Sequence, residues 1–118
     1  MGRTGLDRVF RCYVEREAGH AAVVPQGEVD LQTAPEMQAC IEEAFEASPV
    51  VILDMSGIEF MDSTALSVLI RARSQLGSGL SLRLAAPSKA ARRILEVTGA
   101  ADYFDIYPSR EEAAKGER

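Results

Sequence analysis

Val50-Val51-Ile52-Leu53 is the stretch that most constrains this chain. Four apolar side chains in succession, three of them β-branched and none alternating with a polar residue, suit a strand covered on both faces. Further on, Leu66, Leu69, Ala72 and Leu76 recur three or four residues apart and predict an amphipathic helix. Between strand and helix lies Met61-Asp62-Ser63-Thr64-Ala65. Two hydroxyls and a carboxylate thus fall where a helix is starting, where the first backbone N–H groups have no internal partner and side-chain oxygens cap them. The same N–H groups and the helix dipole would also favour a phosphate.

The flanking segments extend this unit. Phe10, Cys12 and Val14 alternate with Arg11 and Tyr13, predicting a half-buried strand over 9–14, and Glu15 to His20 reads as the turn after it. A second strand covers Ala21 to Val29, with Pro25 inside it implying an edge position or a bulge. Thr33-Ala34-Pro35-Glu36 has the form of a capping box, and Met37, Cys40, Ile41, Ala44 and Phe45 make the stripe of the helix it opens. Leu80, Leu82 and Leu84 alternate as a strand. Pro87-Ser88 opens a helix striped by Ala90, Ala91, Ile94, Leu95 and Val97 and stopped by Gly99. Tyr103 to Tyr107 reads as a last strand, and Ser109 with Glu112 as the capping box of a terminal helix.

An initial hairpin followed by alternating helices and strands predicts an α/β domain. Its sheet should be mostly parallel and four- to five-stranded, with about four helices. The alternating outer strands predict one sheet face poorly covered by helices. The length of 118 residues corresponds to a single domain over 1–118, with its core over about 9–112.

Composition narrows the function classes. A net charge of -5 argues against binding nucleic acid or an anionic membrane surface non-specifically. No apolar run approaches the roughly 20 residues of a membrane span, and the first residues lack the apolar core of a secretory signal, so a cytoplasmic location is expected. Cys12 and Cys40, read as isolated positions on apolar faces, are expected to be buried free thiols, and His20 a solvated turn residue. No glycine-rich phosphate loop, no nucleophile paired with a base and no metal-ligand spacing is present, so neither an enzyme nor a cofactor or metal site is expected.

Three pieces of the chain together resemble the STAS domain, the fold of the bacterial anti-sigma factor antagonists. Gly27-Glu28-Val29-Asp30 followed by Thr33-Ala34 is similar to that family's G-E-[LIV]-D-x-x-[TS]-A, and Phe60-Met61-Asp62-Ser63-Thr64-Ala65-Leu66 to its F-[MLI]-D-S-[ST]-G-L. Leu95 with Thr98-Gly99 follows its late L-x-x-[TS]-G. Ala65 stands where glycine is usual, which leaves the helix intact because alanine is the best helix former.

The resemblance implies a switch. The unphosphorylated protein would bind an anti-sigma factor that is itself a serine kinase of the histidine-kinase-like ATPase fold, and so release a sigma factor for transcription. Phosphorylation of Ser63 would end the interaction, and a serine phosphatase would restore it. The same fold also serves non-switching scaffolds, such as stressosome components and lipid-transport accessory subunits, and weak nucleotide binding is a further alternative.

Around Ser63, five residues are candidates for the partner face: Asp30, Asp62, Thr64, Ser67 and Ile70. Each has a plainer alternative. Asp62 and Thr64 sit where helix caps sit, and Asp30 before a helix complements its dipole. At about 100° per residue, Ser63, Ser67 and Ser74 share one side of the helix with Ile70 near them, while Ile70 could instead fill the edge of the core.

Overall fold

A computed structural model describes residues 10–116. The expectations placed on Val9 and on the first residues lie outside that range. Strands β1 (Arg11–Glu17) and β2 (His20–Val29) form the hairpin, antiparallel from Arg11 opposite Gln26 to Glu17 opposite His20. Its turn is only Ala18-Gly19, with Gly19 at φ 87°, so β1 runs three residues further than its apolar alternation indicated. His20 therefore belongs to the second strand, half-buried, and not to a solvated turn.

Helix α1 (Ala34–Ala47) leads to β3 (Val50–Asp54), a short β4 (Ile58–Met61) and helix α2 (Ser63–Ser74). Strand β5 (Ser81–Ala85), helix α3 (Lys89–Val97), a 3₁₀ turn (Ala100–Tyr103), β6 (Asp105–Tyr107) and helix α4 (Arg110–Lys115) complete the chain. The sheet is six-stranded and mostly parallel, in the order β1-β2-β3-β5-β6, with β4 paired to β2. The apolar run at 50–53 is central in it, with Val51, Ile52 and Leu53 fully buried.

The sixth strand is the one that the sequence pattern hides. Strand β2 pairs with β3 through Ala21–Val23, then with β4 through Gly27–Val29. The β4 register slips between Gly27–Ile58 and Glu28–Phe60, so Glu59 is an extra residue in the ladder. Such a bulge breaks the in–out alternation. Ile58 and Met61 are buried while Glu59 and Phe60 both face solvent, a spacing of three that no period-two search detects. Pro25, read as an edge or bulge residue, lies in the interior strand between its two pairing partners, where the missing N–H interrupts neither ladder. Gly57 crosses β2 here: a side chain on it would meet the Pro25 carbonyl at 3.1 Å.

Helices α1, α2 and α3 pack on one face, joining Met37, Ile41, Leu66, Leu69, Ala91 and Leu95 to Val23, Val51, Leu53 and Leu84. The other face carries α4, whose Ala113 sits on Ile52, Ala85 and Tyr107. This is the thinly covered face that the strand patterns predicted. Arg110 pins α4 across the sheet, donating to Glu15 at 2.7 Å and Asp54 at 3.5 Å, and Arg83 Nη1 donates to the Ala113 carbonyl at 2.7 Å. Ser109 caps α4 through the Glu112 amide at 3.1 Å, the forward half of the expected box.

One stripe assignment and two boundaries shift. Val97 is 77% exposed and belongs to no buried stripe, because α3 turns its Ala91–Leu95 line inward instead. Leu80 lies outside β5 and is partly exposed. The last strand is shortened by the 3₁₀ turn that follows left-handed Gly99. Cys12 and Cys40 are not isolated: β1 and α1 bring the two free thiols close enough to influence each other's ionisation, Cys40 buried and Cys12 half-buried. Burial first, and the neighbouring thiol second, push the Cys12 thiol above its usual range.

Candidate functional site

The site is the rim where β2 and β4 end side by side. Val29 pairs with Met61, and the Asp62 amide donates to the Val29 carbonyl at 3.2 Å. The next residue on each strand is an aspartate, so the ladder sets Asp30 and Asp62 next to one another. Among the expected site residues, the structure thus brings Asp30, Asp62, Ser63 and Thr64 to one edge. Ser67 and Ile70 follow along the exposed side of α2.

Asp62 is the N-cap of α2. Its Oδ1 accepts from the Thr64 amide at 2.9 Å and the Ala65 amide at 3.1 Å, and its carbonyl accepts from Leu66 at 3.1 Å. The two hydroxyls in the motif are therefore not the cap. Ser63 stands at the first helical position, exposed, with its amide outside the Asp62 clasp, and Thr64 is half-buried. The anion-receiving amides at this helix end already hold a carboxylate. A phosphate on Ser63 would feel the dipole but would extend from the surface.

Asp30 and Thr33 hold each other in place of the capping box. Thr33 is the N-cap residue of α1, as expected, with its carbonyl accepting from the Glu36 amide at 3.0 Å, but its hydroxyl makes no cap hydrogen bond, so the side-chain half of the expected capping box is corrected. Asp30 Oδ1 accepts from the Gln32 amide at 2.9 Å and the Thr33 amide at 3.2 Å. Thr33 Oγ1 in turn accepts from the Asp30 amide at 3.0 Å and donates to the Glu28 carbonyl at 2.7 Å. The physical reason is reach: an aspartate three residues ahead of a threonine closes an Asx turn on its own backbone. Asp30 is thereby fixed in position at the rim, and Thr33, given no site role by the sequence pattern, is the residue that braces it. The D-x-x-T spacing was the available signal.

On α2, Ala65 and Leu69 are fully buried and Leu66 and Val68 nearly so. Ser63, Ser67 and Ser74 face solvent, and Ile70 is 39% exposed. Leu31, 72% exposed, caps the neighbouring loop. Among the described residues no group of three His, Cys, Asp or Glu side chains is placed to hold a metal, and no helix is long and apolar enough to cross a membrane.

A mixed sheet with a hairpin start, three helices on one face, and an exposed serine at the first turn of the helix beside an aspartate-lined rim define a small α/β domain. The model of the STAS domain family matches residues 3–113, and this chain belongs to that family. It is 32% identical over 94 residues to the anti-sigma-B factor antagonist of Listeria monocytogenes, covering 78% of this chain and 82% of that one. Over 101 residues it is 27% identical to the anti-sigma-F factor antagonist RsfB of Mycobacterium tuberculosis, covering 85% and 83%. Among solved structures, an anti-sigma factor antagonist from Mycobacterium paratuberculosis superposes with a TM-score of 0.84 at 28% identity, covering 92% and 93% of the two chains.

Proposed function

We propose that this chain is a cytoplasmic anti-sigma factor antagonist, a binding protein and not an enzyme, switched by phosphorylation of Ser63. In its unphosphorylated form it binds an anti-sigma factor that is a serine kinase of the histidine-kinase-like ATPase fold, and so frees a sigma factor. A phosphatase acting on Ser63 resets it. The observation that carries this reading is Ser63 itself: the exposed first residue of α2, on the aspartate-lined rim, in a chain whose relatives are named as antagonists of anti-sigma factors.

The physics gives the direction of the switch. A phosphate adds roughly -1.5 to -2 charge at neutral pH. It arrives beside Asp62 and Asp30 on a rim whose helix amides are already occupied, so it projects outward. A partner docked on that rim meets new negative charge and bulk, while the fold beneath keeps its hydrogen bonds. Asp30, Asp62, Thr64, Ser67 and Ile70 form the partner face in this reading.

The test is incubation with the purified kinase and ATP, followed by mapping of the modified peptide. Phosphate is expected on Ser63 alone and absent from Ser63→Ala. Incorporation at Thr64, or undiminished incorporation in Ser63→Ala, would overturn the assignment.

A further inference from the structure

A shallow apolar groove runs between β4 and α3. Its α3 wall is Ala90, Arg93, Ile94 and Val97, a single stripe at spacings of three and four, and its β4 wall is Phe60 and Met61. Two of these side chains are exposed where a folded core would have used them: Phe60 at 47% and Val97 at 77%. The bulge at Glu59 is what turns Phe60 outward.

One residue gives the groove a sign. Arg93 is its only charged lining residue, and among the described residues its guanidinium has no ion pair or hydrogen bond. A cation without a partner at the edge of an apolar trough is complementary to an apolar side chain flanked by a carboxylate. The groove is also continuous with the rim. Phe60 precedes Ser63 by three residues, a span of at most about 10 Å, and Met61 adjoins the capping Asp62.

We propose that this groove is a second anchoring site for the anti-sigma factor, taking from it an apolar side chain adjacent to an acidic one. The inference rests on the function proposed above and adds to it a contact point that lies off α2. The rim around Ser63 supplies the part of the interface that phosphorylation alters. The groove supplies an apolar anchor, and Arg93 fixes the orientation of the partner.

The experiment uses each anti-sigma factor encoded in the same genome, purified separately and titrated calorimetrically with the full chain. Arg93→Glu and Val97→Asp alter exposed side chains, so far-ultraviolet circular dichroism should match the native protein. Each is expected to weaken binding by about tenfold or more. Arg92→Glu, the same charge change on the neighbouring exposed residue of α3 outside the groove stripe, should stay within about twofold. Native affinity in Arg93→Glu and Val97→Asp, or equal losses in Arg92→Glu and Arg93→Glu, would overturn the groove. In either case loss of binding in Ser63→Asp would leave the switch standing. If the native chain binds none of the anti-sigma factors, the groove and the proposed function fall together.

Discussion

Replacing Ser63 with aspartate tests whether the rim carries a signal or holds up the fold. The new carboxylate would sit at the first position of α2, where the helix dipole stabilises a negative charge by about 0.3–1 kcal/mol. Against this stands Asp62, whose carboxylate already clasps the Thr64 and Ala65 amides. Two like charges about 6 Å apart in water repel by about 0.7 kcal/mol. The terms nearly cancel, leaving a net change within about 0.5 kcal/mol. The 118 residues at about 2.1 cal/mol/K each give an unfolding entropy near 250 cal/mol/K, so the midpoint should move by about 2 °C or less. Asp62→Ala is the comparator. It strips the cap, costs about 1 kcal/mol, and should lower the midpoint by about 4 °C. Thermal unfolding followed by circular dichroism reads both, and calorimetric titration of the anti-sigma factor reads binding, which Ser63→Asp should weaken. A fall of more than about 8 °C in Ser63→Asp would refute the reasoning, since it would mean that the exposed serine supports the fold.

Two further outcomes follow from buried and exposed side chains. Ile70→Ala removes a residue 39% exposed and should cost under about 1 kcal/mol while reducing affinity for the anti-sigma factor, whereas Leu69→Ala, fully buried beside it, should cost about 2–5 kcal/mol in denaturant unfolding. The raised Cys12 thiol holds its proton in the folded state beyond the pH at which the unfolded thiol loses it, so its stability contribution is present below about pH 9 and declines as pH rises past that value; midpoints measured at pH 7 and pH 10 should converge in Cys12→Ala relative to the native protein, and an unchanged difference would contradict the assignment.

Most of the fold was legible because its strongest signals are local. The run at Val50–Leu53, the stripes of α1 and α2, and the Ser88 and Ser109 caps are each written in a few adjacent residues, and each forms where its pattern placed it. What escaped is set by pairing between distant segments. The β4 strand depends on a bulge against β2, and the contact of Cys12 with Cys40 depends on where α1 lands on the hairpin. At the rim, the motif marked the right segment but not the division of labour within it. Asp62 and not a hydroxyl caps α2, and the hydroxyl of the N-cap Thr33 turns to Asp30 instead of capping α1, because several oxygens compete for the same few amides and only three-dimensional reach selects between them. The α3 wall of the groove was written as a helical stripe, but its β4 wall at Phe60 had no periodic signature, since the bulge breaks the alternation there.

The partner exchange of β2 has a consequence for how such a surface can diversify. Because β2 leaves β3 and takes up β4 before both end, the distance between Asp30 and Asp62 is set by the main-chain ladder, at an interstrand pitch of about 4.8 Å. Side-chain packing does not enter that distance. Substitutions elsewhere in the core can accumulate, and the residues along the rim can be exchanged one for another, without altering the ruler on which they are mounted. Paralogous chains sharing this ladder could keep a common docking geometry while each acquires its own partner through the identities of the side chains it displays.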